Sequence, residues 1–149
     1  MDLHPEPSAG YPSLGGACKA IERIMAERLA VGIKRADSVT YENEFVRARR
    51  TGCELIARGT FNITSTDSTG SRDIGGSLAD GLSGAGWVDI PRYTADGPDG
   101  SIFGMRSRET VCIIRGSWDG GDDSDSTYVP SPEWEFVAHC APQEPGDSV

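Results

Sequence analysis

The sequence predicts an α+β fold: an N-terminal helix, a strand and a short second helix, then a four-stranded antiparallel meander with the helices packed on one face. Three observations carry this expectation. Apolar residues recur at helical spacing over residues 17–31, they alternate over 52–62, and after Trp87 short alternating runs are separated by Gly- and Asp-rich turns. A chain of 149 residues suits one domain with a genuine core.

In the first helix Cys18, Ile21, Met25 and Leu29 share a face with Ile24 alongside, while Lys19, Glu22, Arg23, Glu27 and Arg28 fall elsewhere. Residues 37–50 read two ways: Val39, Tyr41, Phe45 and Val46 form a strand, or they pack an irregular loop over the helix. From 52 to 62, Cys53, Leu55, Ala57 and Phe61 alternate with Glu54, Ile56, Arg58 and Thr60. After a polar loop, Asp73 can cap a short helix to about Ser83 that buries Ile74, Leu78 and Leu82, although Gly75, Gly76 and Gly81 weaken it.

Strands follow at about 87–95, 101–107, 110–118 and 133–141, joined first by ADGPDG (95–100) and then by a tight turn near Ser107–Glu109. Residues 1–16, rich in Pro and Gly, read as an extended arm. Residues 142–149 read as a flexible tail, leaving 17–141 as the domain.

The last hairpin can be read to its register. Setting Trp118 opposite Trp134 in an antiparallel pair also sets Cys112 opposite Cys140, at a spacing a disulfide accepts. Cys18 and Cys53 are then left to tie the helix to the first strand. An even set of four cysteines without CxxC spacing favours disulfides over zinc, and disulfides place the protein outside the reducing cytosol, in a periplasmic or extracellular setting. Residues 1–16 carry neither the basic nor the apolar region of a signal peptide. No stretch approaches the roughly 20 apolar residues that span a bilayer.

Charge is one-sided. The net charge is −9; residues 59–149 hold five Lys/Arg against fifteen Asp/Glu, and no Lys or Arg follows Arg115. Such a surface repels phosphate, so nucleic acid and anionic lipid are poor partners, and cations or proteins are better ones. Because a meander alternates its turns, ADGPDG and the long loop that opens with WDGGDDSD (118–125) fall at one end of the sheet. There Asp96, Asp99, Asp119, Asp122, Asp123 and Asp125 form a candidate Ca²⁺ site of hard oxygen ligands, without the spacing of an EF-hand. The alternative is a solvated loop whose Asp and Ser side chains cap its own backbone.

His139, on the last strand and facing away from Cys140, has no nucleophile or orienting partner in the sequence, and no hydrolase elbow, zinc-protease motif or P-loop is present. Arg47, Arg49, Arg50 and Arg58 make a modest basic cluster able to dock an acidic surface, even the acidic end of another copy.

The run from Gly86 to Cys140, with ADGPDG, the cysteine of the fourth strand, WDGGDDSD, VPS and a final cysteine, resembles a group of uncharacterised small exported bacterial proteins. The resemblance covers the C-terminal third to half of the chain, and implies export and structural disulfides but no particular activity. These features lead to an expected role as a non-catalytic binding or accessory protein of the cell envelope. It would be a subunit of a larger assembly or attached to a membrane complex, with a protein partner or self-assembly and no resident cofactor unless Ca²⁺. The alternative is a carboxylate- or metal-dependent hydrolase using the acidic end.

Overall fold

The segment that read two ways resolves into a hairpin in the computed structural model of the chain, which describes residues 14–43, 48–60, 70–97, 100–119, 124, 125, 127–129 and 131–142. Strand β1 (Ile33–Asn43) pairs with β2 (Ala48–Thr60), and β3 (Val88–Gly97), β4 (Gly100–Ser107), β5 (Thr110–Trp118) and β6 (Glu133–Pro142) complete one antiparallel sheet. Its order is β1-β2-β6-β5-β4-β3. Two helices, α1 (Leu14–Leu29) and α2 (Gly70–Gly84), accompany it.

This overturns the expected fold class. The body is a continuous six-stranded antiparallel sheet with two short helices, not a helix-led α+β layout around a four-stranded meander. The physical reason lies in β1 and in the neighbours of β6. Ala36 pairs with Glu54 but Val39 with Gly52, so Asp37 and Ser38 together oppose Cys53. Ser38 takes a left-handed φ of 60°. A bulge of this kind switches which face each later side chain occupies, and so hides a strand from any period-two reading. β6 then pairs on both flanks, with β5 and with β2, drawing the early hairpin into the same sheet.

Helix α1 begins three residues earlier than expected and ends at Leu29, closed by Ala30, whose φ of 57° is the left-handed conformation that follows many helices. Helix α2 begins at Gly70, so Asp73 lies within the helix rather than at its cap. Gly81 has a packing reason: a Cβ there would lie 2.8 Å from Nε of Arg28 and 3.1 Å from Cγ2 of Ile24 on α1. The residue that weakens α2 on propensity is the one that lets the helices touch.

The main core joins Ile21, Ile24, Met25 and Leu29 of α1 and Leu78 and Leu82 of α2 to one face of the sheet. Each such buried aliphatic side chain contributes about 1.5–3 kcal/mol relative to exposure. On that face the side chains run in rows across the strands. Met105, Cys112, Cys140 and Cys53 make one row, Phe103, Ile114, Ala138 and Leu55 the next, and Gly116, Phe136 and Ala57 a third. In the third row the large ring of Phe136 sits between the two smallest side-chain positions, Gly116 and Ala57. Gly116 leaves room for the ring of Phe136: a Cβ there would meet the ring Cε2 at 2.5 Å. Trp134 meets Phe136 edge-on at 5.8 Å between centroids, and Trp118 meets it at 6.4 Å.

Both expected disulfides form. Cys112 and Cys140 are direct partners on β5 and β6 with Cα atoms 4.0 Å apart, in the register that also pairs Trp118 with Trp134. Cys18 of α1 bridges to Cys53 of β2 over 6.4 Å.

On the opposite face a smaller cluster gathers Ile90, Tyr93, Val111 and Ile113, with Ile102 against it. The β3–β4 ladder is irregular between Ile90 and Ala95, and Tyr93 lies over Gly104, whose missing side chain would meet the Tyr93 Cβ at 2.9 Å. Both edge strands carry features that resist pairing with another chain: the bulge on β1 and Pro91 on β3.

Candidate functional site

The acidic end comes first, because the sequence singles it out. The β3–β4 turn and the β5–β6 loop do share one end of the sheet: Gly97 pairs with Gly100, and Gly100 with Ser117. Asp119 Oδ2 accepts hydrogen bonds from the Tyr128 hydroxyl and, at 2.9 Å, from the Ser131 amide. Asp125 Oδ1 accepts from the Thr127 hydroxyl at 2.6 Å and the Thr127 amide at 2.9 Å. Those two bonds hold the Asp125 carboxyl below the usual aspartate range, the hydroxyl contributing most. Both carboxylates therefore shape the backbone of their own loop, an Asx-type use of aspartate. Asp96 is placed only by its backbone, opposite Ser101, and Asp99, Asp122 and Asp123 lie outside the described residues. Among the described residues no group of three or more potential metal ligands gathers.

A second constellation lies on the sheet face turned away from the disulfides. Alternation and register place Glu54, Ile56 and Arg58 of β2 beside His139, Val137 and Glu135 of β6 in that order. His139 Nε2 is 2.8 Å from Glu54 Oε2, with both side chains about a quarter exposed (28% and 27%). The ring of Tyr41 on β1 stacks on His139 with centroids 4.4 Å apart. Arg58 Nε lies 2.6 Å from Glu135 Oε2 on the same face. Lys34 continues this surface on β1, and Arg115 and Arg106 continue it on β5 and β4. Half-buried Ile56 and Val137 lie between the charged pairs, while Arg50, Val111 and Ile113 are buried at its margins.

This face has a charge character unlike the molecule as a whole. Among the described residues it carries Lys34, Arg50, Arg58, Arg106 and Arg115 against Glu54, Glu133 and Glu135. That local excess of two positive charges stands on a chain of net charge −9. The Nε of Arg106 is buried without a hydrogen-bond partner among the described residues. Of the basic cluster expected from sequence, Arg58 and Arg50 belong to this face, Arg49 pairs with Glu42 on the other, and Arg47 is outside the described residues.

The grouping of Glu54, His139 and Tyr41 was not legible in the sequence. His139 has its predicted facing, but its partner is 85 residues away, and the β2–β6 pairing that joins them has no local signature. Chemically the arrangement offers a fixed imidazole, a carboxylate and a flat aromatic on a rigid sheet, flanked by guanidinium groups.

No protein-family model matches the chain, and no curated protein or solved structure matches it either. Among the described residues no helix is long and apolar enough to cross a membrane.

Proposed function

We propose that the chain is a non-catalytic binding or accessory protein of the cell envelope, and that it docks an acidic protein surface on the face of its sheet that carries Glu54 and His139. The observation that carries this reading is the concentration of arginine on that one face of an otherwise acidic molecule. Arginine and tyrosine interleaved with half-buried aliphatic residues is the composition of the inner part of protein interfaces, where lysine is depleted. A sheet held by two disulfides presents these groups with little freedom left to lose on binding. Disulfides also suit an oxidising compartment, as does the resemblance of the C-terminal third to half of the chain to exported proteins. Charge complementarity of this kind acts mainly through association rate and specificity.

The test is site-specific photo-crosslinking in the native host. Crosslinkers at Ile56 and Val137 are expected to capture one protein, whereas a crosslinker at exposed Glu27 on α1 does not. Arg58→Glu with Arg115→Glu, or raised salt, should abolish the product. Capture of a second copy would make the partner this chain itself. Equal labelling from both surfaces, or insensitivity to both charge reversals, would defeat the proposal.

A further inference from the structure

The four cysteines form one line. Cys18 of α1 is bonded to Cys53 of β2, Cys53 is the direct cross-strand partner of Cys140 on β6, and Cys140 is bonded to Cys112 on β5. Cys53, Cys140 and Cys112 occupy one row on one face of the sheet. The middle link is not covalent, yet directly opposed antiparallel residues have Cα atoms about 4.5–5.5 Å apart, inside the range that disulfides span. All four residues are at most 2% exposed, so the two bridges adjoin each other in the core, away from water. The bridges differ in place: Cys112–Cys140 joins two inner strands, whereas Cys18–Cys53 fastens a helix whose outer side, at Lys19, Arg23, Glu27 and Arg28, is exposed.

We propose that this row is a thiol–disulfide relay that couples the attachment of α1 to redox state. A dithiol reductant opens Cys18–Cys53, giving up two electrons and becoming a disulfide itself, and leaves thiols at Cys18 and Cys53. The Cys53 thiolate then attacks the sulfur of Cys140, the Cys53–Cys140 bond forms, the Cys112–Cys140 bond breaks, and Cys112 leaves as a thiolate that takes a proton. The exchange step neither gains nor loses electrons. Its product has one disulfide, between β2 and β6, and thiols at Cys18 and Cys112. The sheet stays crosslinked while α1 is held only by packing and by contacts such as Arg35 Nη1 to Glu22 Oε1 at 3.3 Å. Complete loss of both bridges is thus not required to free the helix. The device is independent of the docking face, which lies on the other side of the sheet.

Limiting dithiothreitol, acid quenching, alkylation and non-reducing peptide mapping test the relay on the full chain. The expected singly reduced species loses the Cys18–Cys53 peptide, gains a Cys53–Cys140 peptide and is alkylated at Cys18 and Cys112. Two variants isolate the middle link. Cys18→Ser should interconvert between Cys112–Cys140 and Cys53–Cys140 forms at mildly alkaline pH. Cys18→Ser with Cys112→Ser should oxidise to Cys53–Cys140 in folded protein. Reduction that opens Cys18–Cys53 and leaves Cys112–Cys140 as the one remaining bridge, with no Cys53–Cys140 peptide trapped, would overturn the relay. If the double variant fails to fold, the limiting reduction of the unaltered chain still decides.

Discussion

Glu54 and His139 meet across β2 and β6 at 2.8 Å, on the reverse side of the sheet from the sulfurs of Cys53 and Cys140. The two residues are one position from each cysteine, so the same stretch of ladder is fastened covalently on one face and by a polar pair on the other. A double-mutant cycle on Glu54→Gln and His139→Gln should give a coupling of about 1 kcal/mol in unfolding free energy, at the upper end for pairs still reached by solvent. A coupling indistinguishable from zero would mean that the pair is held by its surroundings and contributes nothing.

Two glycines should respond in opposite directions. Gly116→Ala forces a Cβ to within 2.5 Å of the Phe136 ring, and overpacking of this sort costs about 1–3 kcal/mol. Gly76→Ala in α2 meets nothing within 4 Å and should stabilise by about 0.5–1 kcal/mol through helix propensity. Chemical denaturation of the two variants in parallel checks both signs.

The Asp125–Thr127 contact should depend on pH in a defined sense. Its carboxyl is depressed in the folded loop, so the contact is fully present above the ordinary aspartate value of 3.8 and is lost as pH falls through the lower folded value. The Thr127 amide resonance should titrate with a midpoint below that of an unrestrained aspartate, and Asp125→Asn should remove the transition. A midpoint at or above 3.8 would contradict the hydrogen-bonding account.

Millimolar calcium separates the two readings of the acidic end: a loop held only by the Asp119 bonds to Tyr128 and Ser131 and the Asp125 bonds to Thr127 keeps its melting temperature unchanged. Asp119→Ala should instead speed proteolysis within residues 119–131. A rise in melting temperature with calcium that Asp122→Asn and Asp125→Asn abolish would establish the metal site.

Replacing Cys112 and Cys140 together by alanine should cost about 2–4 kcal/mol, measured by denaturation of the oxidised protein.

Local signals carried much of the strand content and little of the sheet. The register of β5 against β6 was readable because Trp118, Trp134, Cys112 and Cys140 choose the same pairing. The positions of β3, β4 and β5 followed from alternation between turns. β1 was only half readable, as one of two alternatives over residues 37–50: its sequence IKRADSVTYEN is polar, as an edge strand can be, and the bulge at Asp37 and Ser38 breaks its period. The place of β2 beside β6 depends on contacts some 85 residues apart, beyond the reach of any window. For the same reason the acidic loops, each contiguous in sequence, drew notice ahead of the open face, whose arginines are scattered over several strands.

The position of β6 has a consequence for synthesis. It follows every other described strand in sequence, yet it sits between β2 and β5 in the middle of the sheet. A nascent chain that has not yet released residues 133–142 holds the β1–β2 hairpin and the β3–β4–β5 meander with two strand flanks unsatisfied and Cys112 without its partner. Non-local pairing of this sort delays the productive step and leaves edges open to aggregation. The sheet therefore closes only once β6 is available, and until then the flanks of β2 and β5 lie open to wrong partners.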